Sequence, residues 1–174
     1  MSQLHEGLAT ARLIVGTMLL AGCAQLGQYD ITINNVAVYA PDALLHVEGI
    51  EDPALSACLE QTAMDVRATG IDSLLTLNCS AAGIVSLAGL EQFGGIQSLK
   101  LSGNNIRNLL ALERLTALQQ LWLDGNDIVD PIPVLRLPAL IQLDLTDNPV
   151  LQCPPPDTIP ASMQLTLPDH CTAT

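Results

Sequence analysis

The apolar positions of this chain repeat every 22 residues from Leu74 onward. Four successive units begin at Leu74, Ile96, Leu118 and Leu140, and their apolar and asparagine positions follow the spacing LxxLxLxxNxIxxLxxLxxL. A fixed period of this length is typical of solenoids, in which each unit forms one coil and buries its apolar residues against the next. The sequence therefore predicts a stack of at least four coils.

The LxL segment of each unit predicts a short strand. Side chains alternate between the two faces of a strand, so the two leucines point into the coil and the residue between them points outward. The asparagine column lies where the chain leaves this strand, and it comprises Asn104, Asn126 and Asn148. We expect these amides to be buried and to bond backbone groups of neighbouring coils that would otherwise be unpaired.

The remainder of each unit returns the chain along the outer side of the coil. In the third unit this segment contains Pro131, Pro133 and Pro138. Proline has no N–H and clashes with the preceding turn inside a helix. We therefore expect 3₁₀ or extended backbone here rather than a regular helix.

Both ends of the array depart from the pattern. In the first unit, Ala82 replaces the asparagine and Cys79 replaces the second strand leucine. Terminal units of a stack are expected to be atypical because one side of them has no neighbouring coil. At the other end, Leu165 and Leu167 lie 22 residues beyond the strand leucines of the fourth unit. They predict a fifth, partial strand.

A helix is predicted in front of the repeats. Asp52 followed by Pro53 is typical of a helix N-cap with proline in the first turn, and Gly70 predicts the stop. The helix face that we expect to be apolar contains Leu55, Cys58, Leu59, Thr62, Ala63 and Val66. Before the helix, the alternation of residues 31–39 around Asn34 and Asn35 predicts a strand or a small hairpin.

The 22-residue spacing resembles the leucine-rich repeat in the short bacterial form found in internalins. The resemblance implies an α/β solenoid with parallel strands on the concave face, a helical cap at the N-terminal end and a mostly 3₁₀ or extended convex side. On this interpretation residues 31–73 form the strand segment and helical cap, 74–161 the four repeats, and 162–174 a partial repeat and C-terminal cap. The protein is expected to be monomeric.

The N-terminal segment predicts export. Residues 13–21 form an apolar run of nine residues between Arg12 and the pair Gly22-Cys23. A helix needs about 20 apolar residues to cross a bilayer, whereas the shorter run matches the apolar region of a secretory signal peptide. The alternative is an uncleaved apolar helix with an incidental cysteine.

The tetrapeptide of residues 20–23, Leu-Ala-Gly-Cys, resembles a bacterial lipobox. The resemblance implies that residues 1–22 are a lipoprotein signal peptide and that Cys23 becomes the acylated first residue of a tether, residues 23–30. In a Gram-negative bacterium, Ala24 in place of aspartate after the cysteine implies sorting to the outer membrane. The expected location is therefore a lipid anchor in the bacterial outer membrane, facing the periplasm or the cell surface.

Four cysteines remain after Cys23, which is an even number and favours disulfides in an exported protein. Of the three possible connectivities we expect Cys58–Cys79 and Cys153–Cys171, because each joins a cap to the nearest coil. The alternative for Cys79 is a small residue of the core. No Cys-x-x-Cys or histidine-rich spacing indicates zinc, so no metal or cofactor is predicted.

The net charge and the positions of the histidines disfavour two classes of function, nucleic-acid binding and catalysis. The formal net charge of −12 disfavours nucleic acid as a partner, because phosphate contacts need clustered lysine and arginine. His5, His46 and His170 stand in no motif with a serine or cysteine nucleophile. The sequence therefore predicts a protein that is not an enzyme.

Acidic residues of the repeats raise two further alternatives. Asp124 and Asp144 are expected to be neighbours on the strand surface, as a hydrolytic carboxylate pair requires. Together with Asp127 and Asp147 they would supply oxygen ligands for calcium. Because these acids form no contiguous loop, solvated surface carboxylates are the favoured interpretation of both sets.

The outward strand positions predict a binding surface on the concave face. The outward rows are Thr76, Asn78 and Ser80; Ser98, Lys100 and Ser102; Gln120, Trp122 and Asp124; and Gln142, Asp144 and Thr146. Trp122 is the only tryptophan, and a large ring flanked by charges has the character of a binding hot spot, the alternative being a surface filler. The candidate partner-binding residues are Ser98, Lys100, Gln120, Trp122, Asp124, Gln142 and Asp144.

Two function classes remain open at this point. The first is a membrane-anchored leucine-rich-repeat module that recognises a protein or a glycan at the bacterial envelope. The second is a structural envelope lipoprotein without a single dedicated ligand.

Overall fold

The computed structural model describes residues 31–33, 36–39 and 45–172, and the chain divides into two units, residues 1–43 and 44–174. The predictions for the signal peptide, the tether and Cys23 lie outside the described residues. In the first unit, β1 (Ile31–Ile33) and β2 (Val36–Tyr39) pair antiparallel. This pairing confirms the small hairpin.

In the second unit, helix α1 (Pro53–Val66) precedes the repeats. Its N-cap is Asp52, whose Oδ1 accepts hydrogen bonds from the backbone N–H groups of Ala54 at 2.9 Å and Leu55 at 3.1 Å. Leu55, Leu59 and Ala63 are buried, so the predicted apolar face joins the core. None of the helices within residues 45–172 is long and apolar enough to cross a membrane.

Helix α1 ends at Val66, so the predicted stop at Gly70 was wrong. Arg67 adopts left-handed angles, φ 52° and ψ 47°, and the Ala68 N–H donates to the carbonyl of Ala63 at 2.8 Å. This turn pairs a carbonyl that the helix end would otherwise leave free. It also brings Ala68 into the core and leaves Val66 57% exposed, which corrects the placement of Val66 on the buried face.

Five parallel strands form one sheet in chain order. They are β3 (Thr76–Asn78), β4 (Ser98–Lys100), β5 (Gln120–Trp122), β6 (Gln142–Asp144) and β7 (Gln164–Thr166). The register pairs each residue with the one 22 positions later, as Leu77 with Leu99. The middle leucine of each of the first four strands is fully buried, and β7 confirms the fifth, partial strand.

The returning segments lie on the opposite, convex side. Three of them contain 3₁₀ turns, at Leu90–Gln92, Leu110–Arg114 and Pro156–Thr158. The third unit instead forms a single α-helical turn, α2 (Ile132–Leu135), which corrects the expectation that its prolines exclude a helix. Pro131 precedes this turn and Pro133 lies inside its first turn, where N–H groups have no intrahelical acceptor and proline is tolerated.

The asparagine column connects consecutive coils as predicted. The Asn104 Oδ1 accepts from the backbone N–H groups of Ala82 at 3.1 Å, Gly83 at 2.9 Å and Ile84 at 3.0 Å. Its Nδ2 donates to the carbonyl of Cys79, also in the preceding coil, at 2.9 Å. Asn126 and Asn148 make equivalent bonds to the coils before them, and all three side chains are buried.

Disulfides close both ends of the array. Cys58 of α1 is bonded to Cys79 just after β3, and Cys153 of the fourth coil is bonded to Cys171 in the terminal helix α3 (Asp169–Thr172). Both pairings are those expected from the sequence. The alternative interpretation of Cys79 as an unpaired core residue is therefore wrong.

Candidate binding surface on the concave sheet

The parallel register aligns the outward side chains of the sheet into rows that cross the strands. One row contains the first residue of each strand, namely Thr76, Ser98, Gln120, Gln142 and Gln164. A second row contains the last residue of each strand, namely Asn78, Lys100, Trp122, Asp144 and Thr166. Each strand therefore adds one side chain to each row of the surface.

Lys100 and Trp122 contact each other at the centre of the second row. The Lys100 Nζ lies 4.8 Å from the centre of the indole ring, within the range of a cation–π interaction. Trp122 is half-buried and Lys100 is exposed. Part of the ring is therefore covered by its strand neighbour and part is open to solvent.

The acidic side chains of the surface are held by hydrogen bonds to neighbouring groups. The Asp144 Oδ1 accepts from the Thr146 backbone N–H at 3.0 Å and from its hydroxyl at 2.8 Å. The Asp124 Oδ1 accepts from the Ser102 hydroxyl at 2.6 Å. These bonds restrict one carboxylate to the turn after β5, two residues beyond Trp122, and the other to β6, where Asp144 pairs with Trp122 in register.

The amide side chains also pair across strands. The Gln120 Nε2 donates to the Gln142 Oε1 at 3.4 Å, across the β5–β6 pair. Both glutamines are half-buried. The surface thus combines one aromatic ring, one ammonium group, two carboxylates and several amide and hydroxyl groups.

The structure brings the seven candidate residues together on β4, β5, β6 and the turn after β5. Two outward residues were missing from the sequence-based set, Gln164 and Thr166 of β7, and both are exposed. The sequence contained the information needed to predict them, because Leu165 and Leu167 continue the 22-residue register. Extending the outward rows by one unit would have included both.

One group of potential metal ligands occurs in the part of the chain that the structure describes. Ligand atoms of Cys153, His170 and Cys171 lie within 4.8 Å of one another. Both sulfur atoms are bonded to each other, so neither is available as a thiolate. The acidic residues of the repeats form no such group among the described residues, which gives the calcium alternative no support.

No protein-family model and no curated protein matches this chain. Among solved structures, internalin C2 from Listeria monocytogenes is similar, with a TM-score of 0.57 and 23% identity over 66% of this chain and 53% of that chain. A second internalin from Listeria monocytogenes gives a TM-score of 0.38 and 18% identity over 58% of this chain and 42% of that chain. This chain thus spans about half the length of internalin C2, with which it shares an internalin-like leucine-rich-repeat fold.

Proposed function

We propose that this chain is a recognition module of the bacterial envelope that binds a protein or a glycan through its concave sheet. The row Lys100, Trp122 and Asp144 is the observation that carries the proposal. It places a partly open aromatic ring between a positive and a negative charge. Tryptophan and charged partners of this kind contribute a large share of the binding energy at protein interfaces.

The surface is suited to recognition because its side chains stand on strands. Side chains on a regular element lose less freedom on binding than side chains on loops, and hydrogen bonds to Asp124 and Asp144 restrict them further. Solenoids present such rows as an extended concave surface. The likeness to internalin C2 supports the repeat fold, whereas the ligand class is argued from the surface chemistry alone.

The proposal includes a lipid anchor on Cys23, which rests on the sequence. Two or three acyl chains hold a protein stably at a membrane, whereas one chain gives only marginal binding. Replacing Cys23 with Ser is expected to move the protein from the membrane fraction to the soluble fraction, while Ser2→Ala, in the same segment, leaves it membrane-bound. A Cys23→Ser protein that stays entirely in the membrane fraction would refute the anchor.

Photo-crosslinking tests the concave surface. A benzophenone amino acid at Gln120, beside Trp122 in β5, is expected to give one dominant adduct in intact cell envelopes. The same probe at Glu113, in the 3₁₀ turn of the convex side, serves as the position control and is expected to lack this adduct. A diffuse set of adducts from Gln120 would instead support the structural envelope component without a dedicated ligand.

Substitutions then test whether formation of the crosslinked adduct depends on Lys100 and Trp122. The double variant Trp122→Ala with Lys100→Ala is expected to abolish it, and Trp122→Phe to retain most of it because the ring is kept. Thr76→Ala, an outward residue at the far strand β3, is the matched surface control. An adduct that persists in the double variant at the wild-type yield refutes a site centred on Trp122.

A further inference from the structure

A cavity of about 540 Å³ opens at the C-terminal end of the repeat array. It lies between the turn after β6, residues 146–149, and the segment after β7, residues 167–170. Its volume is within the range of pockets that hold small ligands. Lys100, Trp122 and Asp144, which carry the proposed recognition surface, do not line it, although Thr146, which bonds Asp144, does.

The cavity exists because the last coil leaves the repeat geometry. His170 lies 22 residues after Asn148, so it occupies the position of the asparagine column in the fifth unit. Asn148 is fully buried and its amide bonds the carbonyl of Leu123, 25 residues earlier. His170 is exposed, and its Nε2 lies 3.0 Å from the carbonyl oxygen of Leu151, only 19 residues earlier. The segment around His170 therefore does not close onto the turn after β6.

Both walls of the cavity are held in place. Asn148 fixes the first wall, because its amide bonds the carbonyls of Leu123 and Leu145, each at 3.0 Å. The Cys153–Cys171 disulfide fixes the second wall, since Cys171 follows His170 directly in α3. A cavity with fixed walls needs little ordering when a ligand enters, which favours binding.

The lining combines negative charge with apolar surface. Asp147 contributes a carboxylate from one wall and Asp169 from the other, and both residues are exposed. Pro149, Leu167 and Pro168 contribute the apolar part. An aliphatic stem that ends in an ammonium or guanidinium group complements both features, because the stem contacts apolar surface while the charged end pairs with carboxylates.

We infer that this cavity binds a lysine or arginine side chain of a polypeptide partner. The cavity is open to solvent, so one side chain can enter while the partner's backbone stays outside. The formal net charge of −12 attracts a basic partner toward this protein over longer range. The inference is independent of the concave-sheet proposal, because it rests on different residues.

The test uses the full chain with Cys23→Ser and the blocked tripeptide acetyl-Gly-Arg-Gly-amide, followed by amide chemical shifts in solution NMR. Saturable shifts are expected at residues 146–148 and 167–170, with none from the neutral control acetyl-Gly-Leu-Gly-amide. Failure of the arginine tripeptide to produce saturable shifts there would overturn the inference. Trp122→Ala is expected to leave the affinity unchanged, which separates this test from that of the concave surface.

Charge variants assign the binding to the two carboxylates. Asp147→Asn and Asp169→Asn are each expected to weaken the tripeptide about three- to fivefold, as for exposed ion pairs, while Glu113→Gln in the second repeat changes the affinity less than about twofold. Asparagine suits position 147 because it tolerates the left-handed backbone there, φ 53°. An equal loss in Glu113→Gln would show attraction by overall charge and would overturn the site.

A binding measurement with spermidine distinguishes two possible ligands of the cavity, a basic side chain of a polypeptide and a free polyamine. We expect spermidine to bind within tenfold of the arginine tripeptide, because Asp147 and Asp169 are the only carboxylates among the described residues that line the cavity, and they leave the further ammonium groups of spermidine without a partner there. Spermidine binding that is tenfold or more tighter, with the same shifted residues, would assign the cavity to free polyamines and overturn the polypeptide partner.

Discussion

Asp52 accepts a hydrogen bond at its Oδ2 from the backbone N–H of Val85, 33 residues further along the chain, at 2.8 Å. The same oxygen accepts from the Ser86 N–H at 2.9 Å, while Oδ1 caps helix α1. The side chain is only 8% exposed. One carboxylate therefore both starts the N-terminal helix and attaches it to the first repeat.

The bonds to Asp52 make stability depend on pH. Burial raises the pKa of this carboxyl group, but hydrogen bonds from four backbone N–H groups outweigh burial and hold the pKa below its ordinary value of 3.8. A group with a lowered folded pKa contributes stability above its unfolded pKa, and this contribution is lost as the pH falls through the folded pKa. Acidification should therefore remove the contribution of Asp52.

The variant Asp52→Asn measures the contribution of the Asp52 carboxylate to stability. The amide keeps one acceptor oxygen, but its NH2 group cannot accept from the two N–H groups that bond the other carboxylate oxygen. We expect the free energy of unfolding at neutral pH to fall by about 2–3 kcal/mol. Urea denaturation over a pH series should show the difference from wild type shrinking and vanishing below the folded pKa. A difference that is the same at all pH values would contradict this account.

Asn104→Ala should destabilise the array far more than Asn105→Ala. Asn104 is 5% exposed and bonds three backbone N–H groups and the carbonyls of Cys79 and Leu101, whereas Asn105 is exposed. Three of these five bonds are buried, those to the Ile84 N–H and to the two carbonyls. Each buried group left without a partner costs about 1–3 kcal/mol, so we expect the free energy of unfolding to fall by about 3 kcal/mol or more, against about 0.5 kcal/mol or less for the control. Equal losses, measured by chemical denaturation, would show that the column does not hold the coils together.

Gly89→Ala should destabilise the contact between the first coil and the segment before α1. Gly89 has φ 94°, and an added Cβ would overlap the carbonyl oxygen of Gly49 and lie 2.8 Å from the Ile50 Cδ1. We expect the free energy of unfolding to fall by about 3 kcal/mol or more, because the backbone strain at this φ and the steric overlap of the added Cβ both destabilise the folded state. Gly94→Ala meets nothing within 4 Å and should change stability by less than about 1 kcal/mol. Similar melting temperatures for the two variants would contradict the close approach at Gly89.

Removal of the two disulfides should have unequal effects. Replacing either pair with alanine removes a loop closure, at a cost of about 3 kcal/mol each. Cys79 is 2% exposed, so the Cys58–Cys79 pair also loses core packing of about 1–2 kcal/mol, whereas Cys153 is exposed. Denaturation of the two double variants should therefore show a larger loss of unfolding free energy when the Cys58–Cys79 pair is removed. The reverse order would indicate that the C-terminal cap contributes more to the fold.

Much of the fold was predictable because each repeat position has one local reason for its residue type. The alternation around Leu99 and Leu121 set the strand face, and the buried amide of Asn126 set the bonds between coils. Of the three possible disulfide connectivities, the one found was expected because each of its pairs joins a cap to the nearest coil. Trp122 could be placed outward by its strand position alone.

The errors arose where distant contacts or helix ends decide the outcome. Gly70 was a reasonable stop by residue type, yet Arg67 adopts the left-handed turn because the Ala68 N–H finds the Ala63 carbonyl. The prolines around α2 predict a segment without a helix, yet Pro133 lies in a first turn that needs no N–H from it. Sequence position alone did not distinguish these cases.

The sequence by itself determined the 22-residue coil, its buried leucines and asparagines, the outward rows and the cysteine pairs, because these depend on period and side-chain alternation. Only the tertiary structure decided the second bond of Asp52 to Val85, the contact of Lys100 with Trp122 and the cavity beside His170. Each of these depends on where a side chain lies relative to residues from another coil. Such distances follow from how the coils stack, and no local pattern encodes them.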